Sequence, residues 1–135
     1  MNFNEHHSEK KLLAHWVYTR EEWKIFMRRE KLKKSLFHFF IYWLTPKSRR
    51  KVPEVMITPE KIRVGETLQH FNNEEYSLKR INILDAGTIN VMEISYYSSN
   101  RRSPGLNEIR IPVPKGKLKE AIQVQEKLSN ETIRG

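Results

Sequence analysis

The sequence predicts an α+β protein, in which antiparallel strands are followed by a C-terminal amphipathic helix and preceded by an N-terminal helical segment. Three observations support this prediction. Short runs rich in β-branched and aromatic residues alternate with turn residues between positions 54 and 111. Apolar residues recur at three- and four-residue steps between positions 117 and 128. A helix-capping pattern stands near the N-terminus, at Thr19.

The first predicted elements are a short extended piece and a helix. Residues 15–18 are rich in strand-favouring aromatic and β-branched side chains. Thr19 is followed three residues later by Glu22, so that the hydroxyl and the carboxylate can each satisfy an unpaired backbone N–H. The helix that begins there has one mainly apolar face, formed by Trp23, Phe26, Met27 and Glu30.

An apolar block at residues 36–44 stands between two basic clusters. Its apolar side chains are Phe37, Phe39, Phe40, Ile41, Trp43 and Leu44. The preceding cluster consists of Arg28, Arg29, Lys31, Lys33 and Lys34, and the following one of Lys47, Arg49, Arg50 and Lys51. Residues 1–52 hold 13 Lys and Arg against 5 Asp and Glu, whereas residues 53–135 hold 12 against 11. The net charge of +9 therefore belongs mainly to the N-terminal third.

Two hairpins are predicted after Pro53. Residues 54–58 and 61–64 flank a Pro-Glu turn, and Gly65 ends the second strand. Leu68, His70 and Phe71 are core candidates before a turn at residues 72–75. Strands at residues 78–84 and 89–97 follow, separated by the turn residues 85–88.

The C-terminal part ends in one more strand and a helix. The strand is predicted at residues 108–111, with Pro112 and Pro114 ending it. The helix spans residues 117–128, and residues 129–135 are expected to fray. Its predicted apolar stripe consists of Leu118, Ala121, Ile122, Gln125 and Leu128, with Val124 beside it.

Composition excludes several kinds of chemistry. The chain has no cysteine, so disulfides, thiolate metal sites and a cysteine nucleophile are ruled out. No His and carboxylate spacing indicates a metal site, and no acid–base pair is accompanied by a nucleophile or a phosphate-binding loop. We therefore predict a protein that is not an enzyme, has no cofactor and has no identified small-molecule substrate.

Three segments resemble one bacterial family. They are the opening hairpin at residues 56–64, the strand pair around residues 78–81 and 91–94, and the Pro-containing residues 111–115 before a helix. Together, residues 55–128 resemble the pleckstrin-homology-like domains of YcxB-like membrane-associated proteins, and residues 18–23 are similar to the family's lead-in. The resemblance implies an antiparallel sheet or partly open barrel with a C-terminal helix, on the cytoplasmic side of a membrane.

The resemblance also implies a pair of transmembrane helices where this chain has only residues 36–44. Spanning the hydrocarbon takes about 20 apolar residues. A nine-residue helix would cover only about 14 Å. The block is therefore expected to be buried as a core helix, to lie in a membrane interface, or to dock on a membrane-protein partner.

We predict a basic N-terminal helical and aromatic segment at residues 1–52, followed by a pleckstrin-homology-like sheet domain with a C-terminal helix at residues 53–135. The chain is expected to act as a scaffold or interaction domain, peripheral to the inner membrane of a bacterium on its cytoplasmic face. Anionic lipid or a membrane protein would be the partner, and Arg101 and Arg102 could form an additional anion-binding loop. The alternative is a basic subunit of an RNA or DNA complex, because the same clusters could contact phosphates.

Overall fold

The computed structural model describes residues 12–32, 52–102 and 104–134. These residues form seven strands and two helices. In chain order they are β1 (Ala14–Trp16), α1 (Arg20–Leu32), β2 (Val55–Ile57), β3 (Lys61–Val64), β4 (Thr67–His70), β5 (Tyr76–Asp85), β6 (Asn90–Ser98), β7 (Gly105–Val113) and α2 (Leu118–Arg134).

The strands form two antiparallel sheets. The first has the order β1-β2-β3-β4, and the second has the order β5-β6-β7. The predicted α+β class and the antiparallel pairing are confirmed. The strands make two sheets instead of one, and within the described residues they do not close into a barrel.

The core consists of the alternate side chains of the two sheets, together with residues of both helices. In β3, Ile62 and Val64 are buried whereas Arg63 between them is exposed, as the two-residue period of a half-buried strand requires. Trp16 of β1 and Phe26 of α1 are fully buried in the same cluster. Residues on the N-terminal side of position 52 thus share one core with the sheets that follow.

Helix α1 packs against β7, on the face of the second sheet that carries Arg110. The hydroxyl of Tyr18, which precedes the helix, donates to the carbonyl of Pro112 over 2.8 Å. Pro112 lies within β7, which ends at Val113, so the prediction that Pro112 ends the strand is wrong, whereas Pro114 follows the strand directly. Because β7 is an edge strand and the Pro112 carbonyl points to Tyr18, the missing N–H falls on the unpaired edge and costs no ladder bond.

Helix α2 buries only part of its predicted apolar stripe, together with Val124 beside it. Ala121, Val124 and Leu128 are buried, whereas Leu118 and Ile122 are 42% and 41% exposed. All five residues lie at helical spacing, and packing against the sheets buries only the first three. The helix also continues to Arg134, so the prediction that residues 129–135 fray is wrong up to that position.

Two predicted turns are confirmed, but of the predicted core candidates Leu68, His70 and Phe71 only Phe71 is buried. Gly65 adopts φ +64° and Gly87 adopts φ +95°, a region that disfavours side chains. Asp85 Oδ1 accepts a bond from the Gly87 N–H at 3.0 Å. Leu68 is 49% exposed because its register partner in β3 is the exposed Arg63, which places both on the outer face of the first sheet.

Candidate functional site

The N-terminal end of α1 is fixed to the sheet domain by local and distant bonds. The Thr19 N–H donates to Glu22 Oε1 at 2.8 Å, and the Glu22 N–H donates to Thr19 Oγ1 at 3.0 Å, which confirms the predicted capping box. Glu22 Oε2 also accepts from the Lys115 N–H at 2.7 Å. Partial burial acts to raise the pKa of Glu22, but the hydrogen bonds from Thr19 and Lys115 and the Lys115 charge outweigh it and lower that pKa.

The C-terminal end of α1 is held by a buried ion-pair network. Arg110 Nε lies 3.1 Å from Glu30 Oε1 and 3.3 Å from Glu30 Oε2, and Arg110 Nη1 bonds to Glu93. Glu30 and Arg110 are both buried. Sequence analysis places Glu30 on the apolar face of the helix without identifying its partner. The signal for that partner was a single arginine between Ile109 and Ile111, in the middle of a buried strand.

The outward side of α1 is basic. Arg28 and Arg29, both predicted to bind an anionic surface, are exposed. The structure adds two exposed residues that were not predicted. Arg20 lies eight residues before Arg28 and Lys24 lies four residues before it, so these three side chains share one side of the helix. None of these basic residues forms an ion pair with any described residue.

The remaining predicted contact residues lie outside the described side chains. For the anionic-surface clusters these are Lys31, Lys33, Lys34, Lys47, Arg49, Arg50 and Lys51. For the apolar block they are Phe37, Phe39, Phe40, Ile41, Trp43 and Leu44. The structure therefore positions only the helix that leads into this block, and Val52, at which the described chain resumes.

The predicted anion loop lies at the tip of the hairpin between β6 and β7. Arg101 and Arg102 are both exposed there. Asn100 orders the turn, because its Oδ1 accepts from the Arg102 N–H at 2.8 Å and its own N–H donates to Ser98 Oγ at 3.0 Å. The two guanidinium groups are thus presented on a defined turn at the end of the second sheet.

Other chemistry has little support in the described residues. His15 bonds to Glu54 at 2.9 Å, and no group of three His, Cys, Asp or Glu residues in the described ranges could hold a metal ion. Glu93 is engaged by Arg110, and Asp85 by the backbone of its turn. Among the described helices, none has the length and apolar character needed to cross a bilayer.

Comparisons with protein-family models, with curated proteins and with solved structures found no match to this chain.

Proposed function

We propose that this chain is a non-enzymatic, pleckstrin-homology-like interaction domain that attaches peripherally to an anionic membrane surface, on the cytoplasmic face of a bacterial inner membrane. The two antiparallel sheets with a C-terminal helix support the fold assignment. The observation that supports the function most directly is the exposed basic side of α1, a helix that ends four residues before the apolar block at residues 36–44.

The orientation of α1 matters for this function. The helix is held at both ends. Its N-terminal end is fixed by the capping box and the Tyr18–Pro112 bond, and its C-terminal end by the Arg110 network. Arg28 and Arg29 are therefore held in a fixed position relative to the domain. A membrane that binds them would meet the domain in a defined orientation.

Electrostatic and apolar contacts would then act together. Basic residues near an anionic leaflet contribute about 1 kcal/mol each. The nine residues of the two clusters would draw the chain to the surface, and the aromatic side chains of the block would enter the headgroup boundary, where Trp and Tyr are enriched in membrane proteins. The block is too short to span, so attachment would be interfacial.

The outer face of the first sheet would remain available for a protein partner. His15, Met56, Arg63 and Leu68 follow one cross-strand row through all four strands. No described element covers this row, and its members combine charged and apolar side chains. Such a mixed surface is typical of interfaces that form and dissociate.

Co-sedimentation with vesicles tests the proposal. The full chain should pellet with vesicles of phosphatidylglycerol and phosphatidylcholine, and the double substitution Phe40→Asp with Trp43→Asp should abolish most of that binding. Leu68→Asp with Ile122→Asp is the matched control, since it places the same two charges at exposed positions distant from the block. Undiminished binding of the Phe40 and Trp43 variant would rule out the apolar contact.

The nucleic-acid alternative makes a different prediction for the same clusters. If they contact RNA or DNA, mobility of the nucleic acid should shift at low salt, with the affinity falling steeply as salt rises. Reversal of Arg49, Arg50 and Lys51 to Glu should then cost most of the affinity. If the chain retards nucleic acid but does not bind anionic vesicles, the nucleic-acid alternative is favoured and the membrane proposal is wrong.

A further inference from the structure

The face of the second sheet that carries Arg110 also has an exposed apolar pair, next to the β6–β7 hairpin tip. Tyr97 in β6 lies directly opposite Leu106 in β7. Tyr97 is 48% exposed, and Leu106, at 67%, is the most exposed large hydrophobic side chain in the described residues. An adjacent pair of this kind is more informative than a single exposed leucine, which is common on protein surfaces.

This pair lies on the same face of the sheet as α1. The register runs without interruption from Glu93 opposite Arg110 to Tyr97 opposite Leu106, and residues an even number of positions apart on a strand point to one face. Glu30, in the last turn of α1, bonds to Arg110 on that face. Leu106 is four residues from Arg110, about 13 Å along an extended strand.

The apolar block begins within a similar distance of α1. Helix α1 ends at Leu32, and four peptide steps lead to Leu36, which span at most about 14 Å. A bilayer surface that receives the start of the block would therefore lie within reach of the face that carries Tyr97 and Leu106. No other large exposed apolar pair of the described residues stands on that face beside the hairpin tip.

The hairpin tip supplies the matching charge. Arg101 and Arg102 are exposed on the turn between the two strands, and neither forms an ion pair with a described residue. Guanidinium groups bind phosphate oxygens through paired N–H donors. Two apolar side chains beside two arginines thus complement an anionic bilayer, whose headgroup phosphates lie above its acyl chains.

We propose that the β6–β7 hairpin is a second membrane-contact element, in which Tyr97 and Leu106 enter the interface and Arg101 and Arg102 bind lipid phosphates. This inference rests on the proposed membrane attachment and assigns the face of the domain that meets the bilayer. Two separated contacts, the block after α1 and the hairpin, would fix the tilt of the domain on the surface.

The absence of cysteine allows a direct test. Leu106→Cys in the full chain can be labelled at a single site with an environment-sensitive fluorophore, with Leu68→Cys, about half exposed on the other sheet, as the matched control. Vesicles of phosphatidylglycerol and phosphatidylcholine should increase and blue-shift the emission at position 106 only. Vesicle binding by the chain without any change at position 106 overturns the hairpin contact and leaves the proposed function standing.

Two further outcomes are distinguishable. A probe at position 106 that is already in an apolar environment without vesicles, and stays so with them, would mean that another segment of the chain covers the pair, and it overturns the proposal. A chain that does not bind the vesicles at all overturns both the hairpin contact and the proposed function.

Charge reversal gives an independent measurement. Arg101→Glu with Arg102→Glu should weaken binding to the same vesicles at least about tenfold, from roughly 1 kcal/mol per basic residue near the surface. Arg63→Glu with Lys119→Glu changes the net charge equally at exposed positions away from the hairpin, and should have a much smaller effect. Equal losses for the two pairs would show that only net charge matters and would contradict the hairpin contact.

Discussion

Arg110 is the residue on which the position of α1 depends most. It is buried and bonded to Glu30 of the helix and to Glu93 of the neighbouring strand. Removing one member of a buried ionic group leaves charges that have been taken out of water without compensation. Arg110→Met should therefore lower the free energy of unfolding by about 3–5 kcal/mol, measured by urea denaturation at neutral pH.

Arg63→Met is the control for this substitution. Arg63 is exposed on the first sheet, and surface substitutions usually change stability by less than about 0.5 kcal/mol. A loss below about 1 kcal/mol for Arg110→Met would mean that the two carboxylates are solvated in its absence. The network would then not hold α1 in place.

Buried tyrosines predict a loss of stability in alkali. Burial, with a smaller effect of Tyr76, raises the pKa of Tyr96 to about 12, and burial followed by the Glu22 charge raises the pKa of Tyr18 well above its usual value. Above pH of about 10 the unfolded chain releases these protons while the folded chain keeps them, so the free energy of unfolding falls as pH rises.

Urea denaturation between neutral and alkaline pH measures this effect. In Tyr96→Phe the unfolding free energy should fall less steeply with rising pH, because phenylalanine has no proton that the folded chain keeps and the unfolded chain releases. If the unfolding free energy of Tyr96→Phe and of the wild type fell equally with rising pH, the raised pKa of Tyr96 would be contradicted.

At the scale of elements, α2 provides the sharpest comparison. Leu128 is fully buried, and its truncation to Ala should cost about 2–5 kcal/mol of unfolding free energy. Ile122 belongs to the stripe predicted from sequence but is 41% exposed, so Ile122→Ala should cost less than half as much. Thermal or urea unfolding of the two variants measures both losses. Equal losses of unfolding free energy would show that Ile122 is packed as tightly as Leu128, as the predicted stripe requires.

The elements that sequence predicts well are those with local causes. The capping box at Thr19 and Glu22 and the turn at Asp85 and Gly87 depend on residues two or three positions apart, and all form as expected. The exposure of Leu68 depends instead on pairing with Arg63, and the buried side of α2 depends on which sheet it meets. Sequence periodicity does not contain these tertiary choices.

In the candidate site, too, features with local causes are predictable from sequence and features that depend on tertiary pairing are not. The basic character of α1 follows from composition, and Arg28 and Arg29 are exposed as expected. The Glu30–Arg110 contact joins residues 80 positions apart, and the Tyr97–Leu106 pair requires that β7 begin at Gly105, before its predicted start at Glu108. Each needs the register of the folded sheet, so neither could be obtained from spacing.

At the scale of the whole molecule, the distribution of exposed basic residues favours membrane attachment through the second sheet. The chain carries a net charge of +9, and residues 1–52 contribute most of it. α1 and the β6–β7 hairpin place exposed basic residues on the second sheet, whereas the outer row of the first sheet stays uncovered by any described element. We expect the membrane to meet the second sheet and a protein partner to meet the first.

The affinity of the full chain for anionic and neutral vesicles, measured across a range of salt concentrations, tests the central claim most directly. We expect binding to phosphatidylglycerol-containing vesicles that weakens as salt rises, little binding to phosphatidylcholine alone, and a loss of at least about tenfold for Arg28→Glu with Arg29→Glu. Equal affinity for the two vesicle types, or no binding to either at low salt, would contradict membrane attachment through the basic surface.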